Sequence, residues 1–123
     1  MGHFEAWDYG SLEASLEAAE DAEEVKSPII IGFGGRSFKT PSGWDEVKLF
    51  SLAHIGKIMA QNSSVPAAFI LNEVSDLEIM KKGMELGFNS VMFDGSSLSI
   101  EKNIELTRKV VKEAAKRGID VEG

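Results

Sequence analysis

Five stretches of the sequence place chemically competent residues just after short apolar runs. They are Glu5 with Trp7 and Asp8, then Gly34-Gly35-Arg36-Ser37, then Asn72 with Glu73, then Asp94 with Gly95, and finally Glu122. Four of the five offer a carboxylate, and oxygen donors of that kind suit a hard divalent cation such as Mg2+ or Mn2+ better than zinc. Any ion is expected between Glu73 and Asp94, with Glu5 or Glu122 assisting. The competing reading is that these acids cap helix N-termini, where negative charge is favoured, and bind nothing. In the glycine pair, bare backbone N–H groups can approach a phosphate while Arg36 adds charge and Ser37 a hydroxyl. An ordinary loop accounts for the same glycines equally well.

Other chemistries lack their residues. Gly32-Phe33-Gly34-Gly35-Arg36-Ser37 has glycine at the first and third places of a dinucleotide fingerprint but serine at the sixth, and Pro41 delays any helix. His3 lies beside the terminus and His54 sits within a helical stripe, so no strand end offers the base of a Ser-His-Asp triad. No strand contains a lysine for a Schiff base, and there is no cysteine to act as nucleophile or thiolate ligand.

The elements that must position these groups alternate regularly. Pro28–Phe33, Pro66–Leu71 and Ser90–Phe93 are too short for helices and read as buried strands; Gly2–Trp7 opens the chain and Ile119–Glu122 begins a fifth strand. Leu12, Leu16, Ala19 and Ala22 mark a helix over Ser11–Val25, its acidic residues Glu17, Glu20, Asp21, Glu23 and Glu24 facing water. A second helix, Trp44–Gln61, is expected to bury Val47, Phe50 and Ile58. A third starts at a Ser75…Glu78 capping box, buries Leu77, Met80 and Met84, and stops at Gly87. A fourth, Ser99–Arg117, is expected to turn Ile100, Ile104, Thr107, Val111 and Ala114 inward and to end at Gly118. The order βαβαβαβα with a strand stub predicts an α/β fold of parallel strands with right-handed crossovers, Phe4, Ile30, Phe69 and Met92 lying in or near its core. It is either an open doubly wound sheet or, since a whole (β/α)8 barrel takes about 250 residues, roughly half of one.

The 123 residues make one domain, and 13 basic against 20 acidic side chains give 13 − 20 = −7. Such a surface argues against sequence-independent nucleic-acid binding. No run is long enough to span a membrane, no targeting segment is evident, and the lack of cysteine fits a reducing, cytoplasmic setting.

Ser90-Val91-Met92-Phe93-Asp94-Gly95-Ser96-Ser97-Leu98, continued by Glu101-Lys102-Asn103 and Leu106-Thr107 through Val110-Val111, resembles a signature block of the class II, metal-dependent fructose-bisphosphate aldolases. That (β/α)8-barrel family also contains tagatose-bisphosphate aldolases. Leu16–Glu20 and Ser27–Ile31 resemble its opening, so the likeness covers essentially the whole chain as an N-terminal half-barrel of four consecutive β/α units over residues 1–123, incomplete at its C-terminal end. The resemblance implies carbon–carbon lyase chemistry on sugar phosphates in glycolysis and related carbohydrate metabolism, with zinc as the metal. In the family motif H-x-D-H-G the Asp carries the catalytic proton and the second His binds zinc; here the chain reads Ile70-Leu71-Asn72-Glu73-Val74. Asn72 at the catalytic position has no carboxylate to shuttle a proton, and Glu73 offers oxygen where the family has imidazole. Ser97 replaces another histidine, and Val121-Glu122-Gly123 matches only the start of the family's next signature.

Three readings follow. One is an aldolase-family lyase whose chemistry this chain alone cannot complete; another is a non-catalytic half-barrel for assembly or sugar-phosphate binding, with or without a metal. The third is a flavodoxin-like sheet taking a phosphoryl group at Asp8 or Asp94. A half-barrel with open edge strands and bare interior side chains such as Ile30, Phe69 and Met92 is expected to pair with a second copy or a second half-barrel chain, or to aggregate.

Overall fold

The computed structural model describes residues 1–22 and 27–123. Its elements run β1 (Gly2–Ala6), α1 (Tyr9–Asp21), β2 (Ile29–Gly34), a 3-10 turn (Gly35–Phe38), β3 (Lys39–Thr40), β4 (Gly43–Trp44), α2 (Glu46–Asn62), β5 (Ala67–Val74), α3 (Leu77–Leu86), β6 (Ser90–Phe93), α4 (Ile100–Ala115) and β7 (Asp120–Glu122). The expected end of the first helix at Val25, with Glu23 and Glu24, lies outside the described residues. A small antiparallel hairpin, β3–β4, occupies what reads in sequence as a loop.

The main sheet is wholly parallel and its strands follow in chain order, β1-β2-β5-β6-β7. A flavodoxin-type sheet reverses direction after its first strand, so that reading is overturned. The helices pack on one another in sequence, α1 on α2, α2 on α3 and α3 on α4, and thus layer on one face. The other face curls until His3 on the first edge strand comes within 3.8 Å of Glu122 on the last. This is the geometry of a partial (β/α) barrel.

Between sheet and helices lies the core. Phe33 meets Phe38 and Phe69 edge-on at centroid distances of 6.1 and 6.0 Å, and Phe69 stacks on Phe88 at 4.3 Å. Aromatic pairs of this kind contribute about 0.5–1.5 kcal/mol each beyond their burial. Phe69 is therefore a helix-facing core residue and not one of the barrel-interior side chains, as the alternation along β5 requires. Ile30 and Met92 are half-buried on the curled face, whereas Phe4 is 51% exposed because among the described residues β1 is an edge strand with no helix packed beyond it.

Two helices bury a different side from the one their spacing predicts. In α2, Leu49, Leu52, Ala53 and Gly56 face the sheet, while Val47, Phe50 and Ile58 are exposed and His54 leaves the core, its Nδ1 3.1 Å from the Phe50 carbonyl. In α4 Ala114 is buried as expected, beside Val110, and Thr107 is half-buried, whereas Ile100, Ile104 and Val111 are exposed. Both helices are apolar on two sides, and periodicity alone cannot choose between them. The N-cap of α3 is Asp76, one residue beyond the expected Ser75, its carboxylate accepting from the Glu78 and Ile79 N–H groups. Gly87 closes that helix at φ +108°, where a side chain would be strained, and Gly118 follows α4 at φ +64°.

Candidate functional site

The C-terminal ends of the parallel strands gather most of the expected residues on one rim. At its centre is Asn72, buried on β5 and in register with Gly34 of β2. Glu5, from β1, lies over Gly34, and its carboxylate occupies the space a side chain at position 34 would need. Gly35 is explained by packing: a Cβ there would stand 2.6 Å from the Glu73 carbonyl and 3.1 Å from Val74. The glycine pair thus lets β2 and β5 approach where they leave the sheet.

Between Leu71 and Val74 the register of β5 against β6 shifts, and within that bulge Glu73 holds φ +51°, the only positive φ of a non-glycine among the described residues. Bulges re-aim side chains at strand ends, and a left-handed non-glycine residue there is stored strain. It sends Glu73 toward Arg36, whose Nε lies 4.0 Å from the carboxylate. Both groups are well exposed, so their attraction is weak.

Asp94, after β6, accepts a hydrogen bond from the Ser96 N–H at 3.0 Å. The Ser96 side chain and backbone hold its carboxyl below the usual range, against slight burial, with smaller pulls from Arg36 and Lys39. Lys39 is a cation that sequence reasoning missed. The β3–β4 hairpin presents it to the rim, its Nζ 3.3 Å from Ser75 Oγ and 5.3 Å from the Trp44 ring centre. Its only signal in the sequence is its place three residues after Arg36.

Two buried side-chain atoms here lack a hydrogen-bond partner among the described residues: Asn72 Oδ1 and Ser37 Oγ, the latter in the turn that follows the glycines. Unpaired buried polar atoms are rare and costly, and they mark where a polar ligand or water would be accommodated. Other expected members are elsewhere. Asp8 caps α1, accepting from Ser11 N–H at 2.8 Å while Ser11 Oγ accepts in return, so the capping alternative describes it. Trp7 is exposed, and Glu122 faces His3 across the curled face.

Among the described residues no three His, Asp or Glu side chains come together to hold an ion. Asp94 is engaged by Ser96 and Glu73 by Arg36, and the donors at this rim are oxygens. These residues do not fit a zinc centre. The rim brings together two cations, three carboxylates and a buried amide, groups complementary in kind to a polyhydroxylated, phosphorylated ligand.

Comparison with known proteins places the chain in a family. The family described as "Fructose-bisphosphate aldolase class-II" matches residues 1–123. A sulfofructosephosphate aldolase of Alkalicoccus urumqiensis is 37% identical over 123 residues, all of this chain and 40% of the relative; a fructose-bisphosphate aldolase of Staphylococcus epidermidis is 32% identical over 117 residues, 94% of this chain and 40% of the relative. In structure the chain superposes on the YdjI aldolase of Escherichia coli K12 with TM-score 0.81 and 33% identity, covering 98% of this chain and 43% of that one. The corresponding values for a putative fructose-1,6-bisphosphate aldolase from Coccidioides immitis are 0.76, 27%, 98% and 39%. The chain thus spans about 40% of the length of the relatives it matches.

Proposed function

The chain belongs to the class-II fructose-bisphosphate aldolase family, and on that premise we propose that it supplies the first four β/α units of an aldolase-type barrel, binding a sugar phosphate at its rim without cleaving it alone. The observation that carries this reading is Asn72. It stands at the centre of the rim, buried and with its amide oxygen unpaired, at the position where the family resemblance puts the proton-carrying Asp. An amide neither gains nor loses a proton near neutral pH, so Asn72 cannot serve as general acid or base there. The metal dependence that the family resemblance implies gives no route around this, because among the described residues the oxygen donors do not form a three-ligand site.

On this reading Arg36 and Lys39 attract the phosphate, and the Asn72 amide hydrogen-bonds a hydroxyl or carbonyl of the sugar. Glu5 and Asp94 accept from further hydroxyls. A cytoplasmic place in carbohydrate metabolism accompanies this reading. A coupled assay of fructose 1,6-bisphosphate cleavage with added zinc tests the catalytic half: no turnover above the blank is expected. Turnover that disappears in Asn72→Ala would overturn it. Asn72→Asp combined with Glu73→His is not expected to create activity, since the further ligands implied by the family lie outside this motif.

A further inference from the structure

Helix α2 presents an apolar face to solvent. Val47, Phe50 and Ile58 are 77%, 55% and 60% exposed, and His54 lies among them, its ring 4.3 Å from that of Phe50. Helical spacing sets them in one stripe about three turns long, opposite Leu49, Leu52, Ala53 and Gly56, which bury against the sheet. Isolated exposed apolar residues need no explanation, but a continuous stripe marks an interaction surface. This one is not an open edge of the sheet. α2 packs between α1 and α3 on the outer layer, and β/α units joined beyond β1 or β7 would extend the molecule past α1 or α4 and leave the stripe outward.

The face is patterned as its own complement. Val47 and Phe50 lie toward one end and His54 and Ile58 toward the other, with Ser51 between them, its hydroxyl already donating to the Val47 carbonyl at 2.9 Å. Charge follows the same symmetry. Beside Phe50, a cleft of about 150 Å3 between α2 and α3 is lined by Leu49 and Leu86 and by the carboxylates Glu46 and Glu85. Each carboxylate engages one oxygen in an exposed ion pair, Glu46 with Lys82 at 2.7 Å and Glu85 with Arg117 at 3.5 Å, and keeps Oε2 for a further donor. About three turns along the same α3-facing edge, Lys57 runs its stem against Gly87 and makes no ion pair among the described residues. One end of the edge accepts and the other donates.

We propose that a second copy of the chain covers this face, α2 lying antiparallel on α2 across a two-fold axis near Ser51. That register sets Val47 against the partner's Ile58 and Phe50 against the partner's His54. It also brings the partner's Lys57 to the cleft, where its ammonium meets Glu46 and Glu85. The axis makes every contact twice and closes the assembly as a dimer. A parallel arrangement would set Glu46 against the partner's Glu46 and Lys57 against the partner's Lys57, so charge selects the antiparallel copy.

Sedimentation velocity at low salt, from about 10 μM to about 1 mM protein, tests this on the full chain. Wild type is expected to dimerise within that range. Phe50→Ser with Ile58→Ser, both at exposed positions, should weaken self-association about 100-fold. Glu46→Lys and Lys57→Glu, each alone, set like charge against like and should weaken it about 10-fold or more. Mixed one to one, these two single variants regain opposite charges at both contacts and should associate more tightly than either does alone. Circular dichroism matching wild type shows that each variant is folded. A wild type that stays monomeric over the whole range, variants that dimerise as wild type does, or a mixture that associates no better than its components would each overturn the proposal.

Discussion

Glu73 holds a backbone angle that glycine would adopt freely, yet it is a charged residue whose one ion pair is exposed and weak. Left-handed geometry costs an ordinary residue about 1–2 kcal/mol. Glu73→Gly should therefore stabilise the fold by about 1 kcal/mol in urea denaturation. Glu73→Ala keeps the strain, loses the pairing with Arg36, and should be neutral or slightly destabilising. Equal stability of the two variants would show that the bulge is unstrained. The candidate residues themselves were legible, because strand-end positions follow from the alternation of apolar runs. The bulge was not: a left-handed residue without glycine leaves no mark in the sequence, and the turn it makes toward Arg36 arises from pairing with β6.

Helix α2 carries glycine at its centre, where propensity favours alanine by about 1 kcal/mol. The reason is the neighbour. A Cβ on Gly56 would run into the Phe69 ring, which is fixed between Phe88 and Phe33 and cannot withdraw. Overpacking of this kind costs about 1–3 kcal/mol, so Gly56→Ala should lower Tm despite its better helix propensity. An unchanged or higher Tm would mean the core has slack. At this scale the order of elements, the parallel sheet and the helix stop at Gly87 were readable from spacing and turn residues. The buried faces of α2 and α4 were not. Val47, Phe50, Ile100, Ile104 and Val111 are apolar in the helical pattern but point away from the sheet, and hydrophobic spacing records that a side is apolar without recording what covers it. Gly56 and Gly83, which permit close helix approach, look like weaknesses in a sequence and act as contacts in the fold.

Over the whole molecule, five parallel strands in chain order form an open arc with Arg36 and Lys39 at one rim, in a chain whose net charge is −7. That charge repels an anionic ligand at long range, but at physiological salt the screening length is about 8 Å, so Arg36 and Lys39 decide what happens at the rim. The central claim, that this rim binds a sugar phosphate and leaves its carbon–carbon bond intact, is tested most directly by one titration. Amide chemical shifts of isotope-labelled protein are followed as fructose 1,6-bisphosphate is added, with triose phosphates monitored in the same tube. The account predicts shifts confined to the segments around Arg36, Asn72 and Asp94, and no triose phosphate above the blank. Shifts absent at about 10 mM ligand, or triose phosphates that accumulate with time, would contradict it.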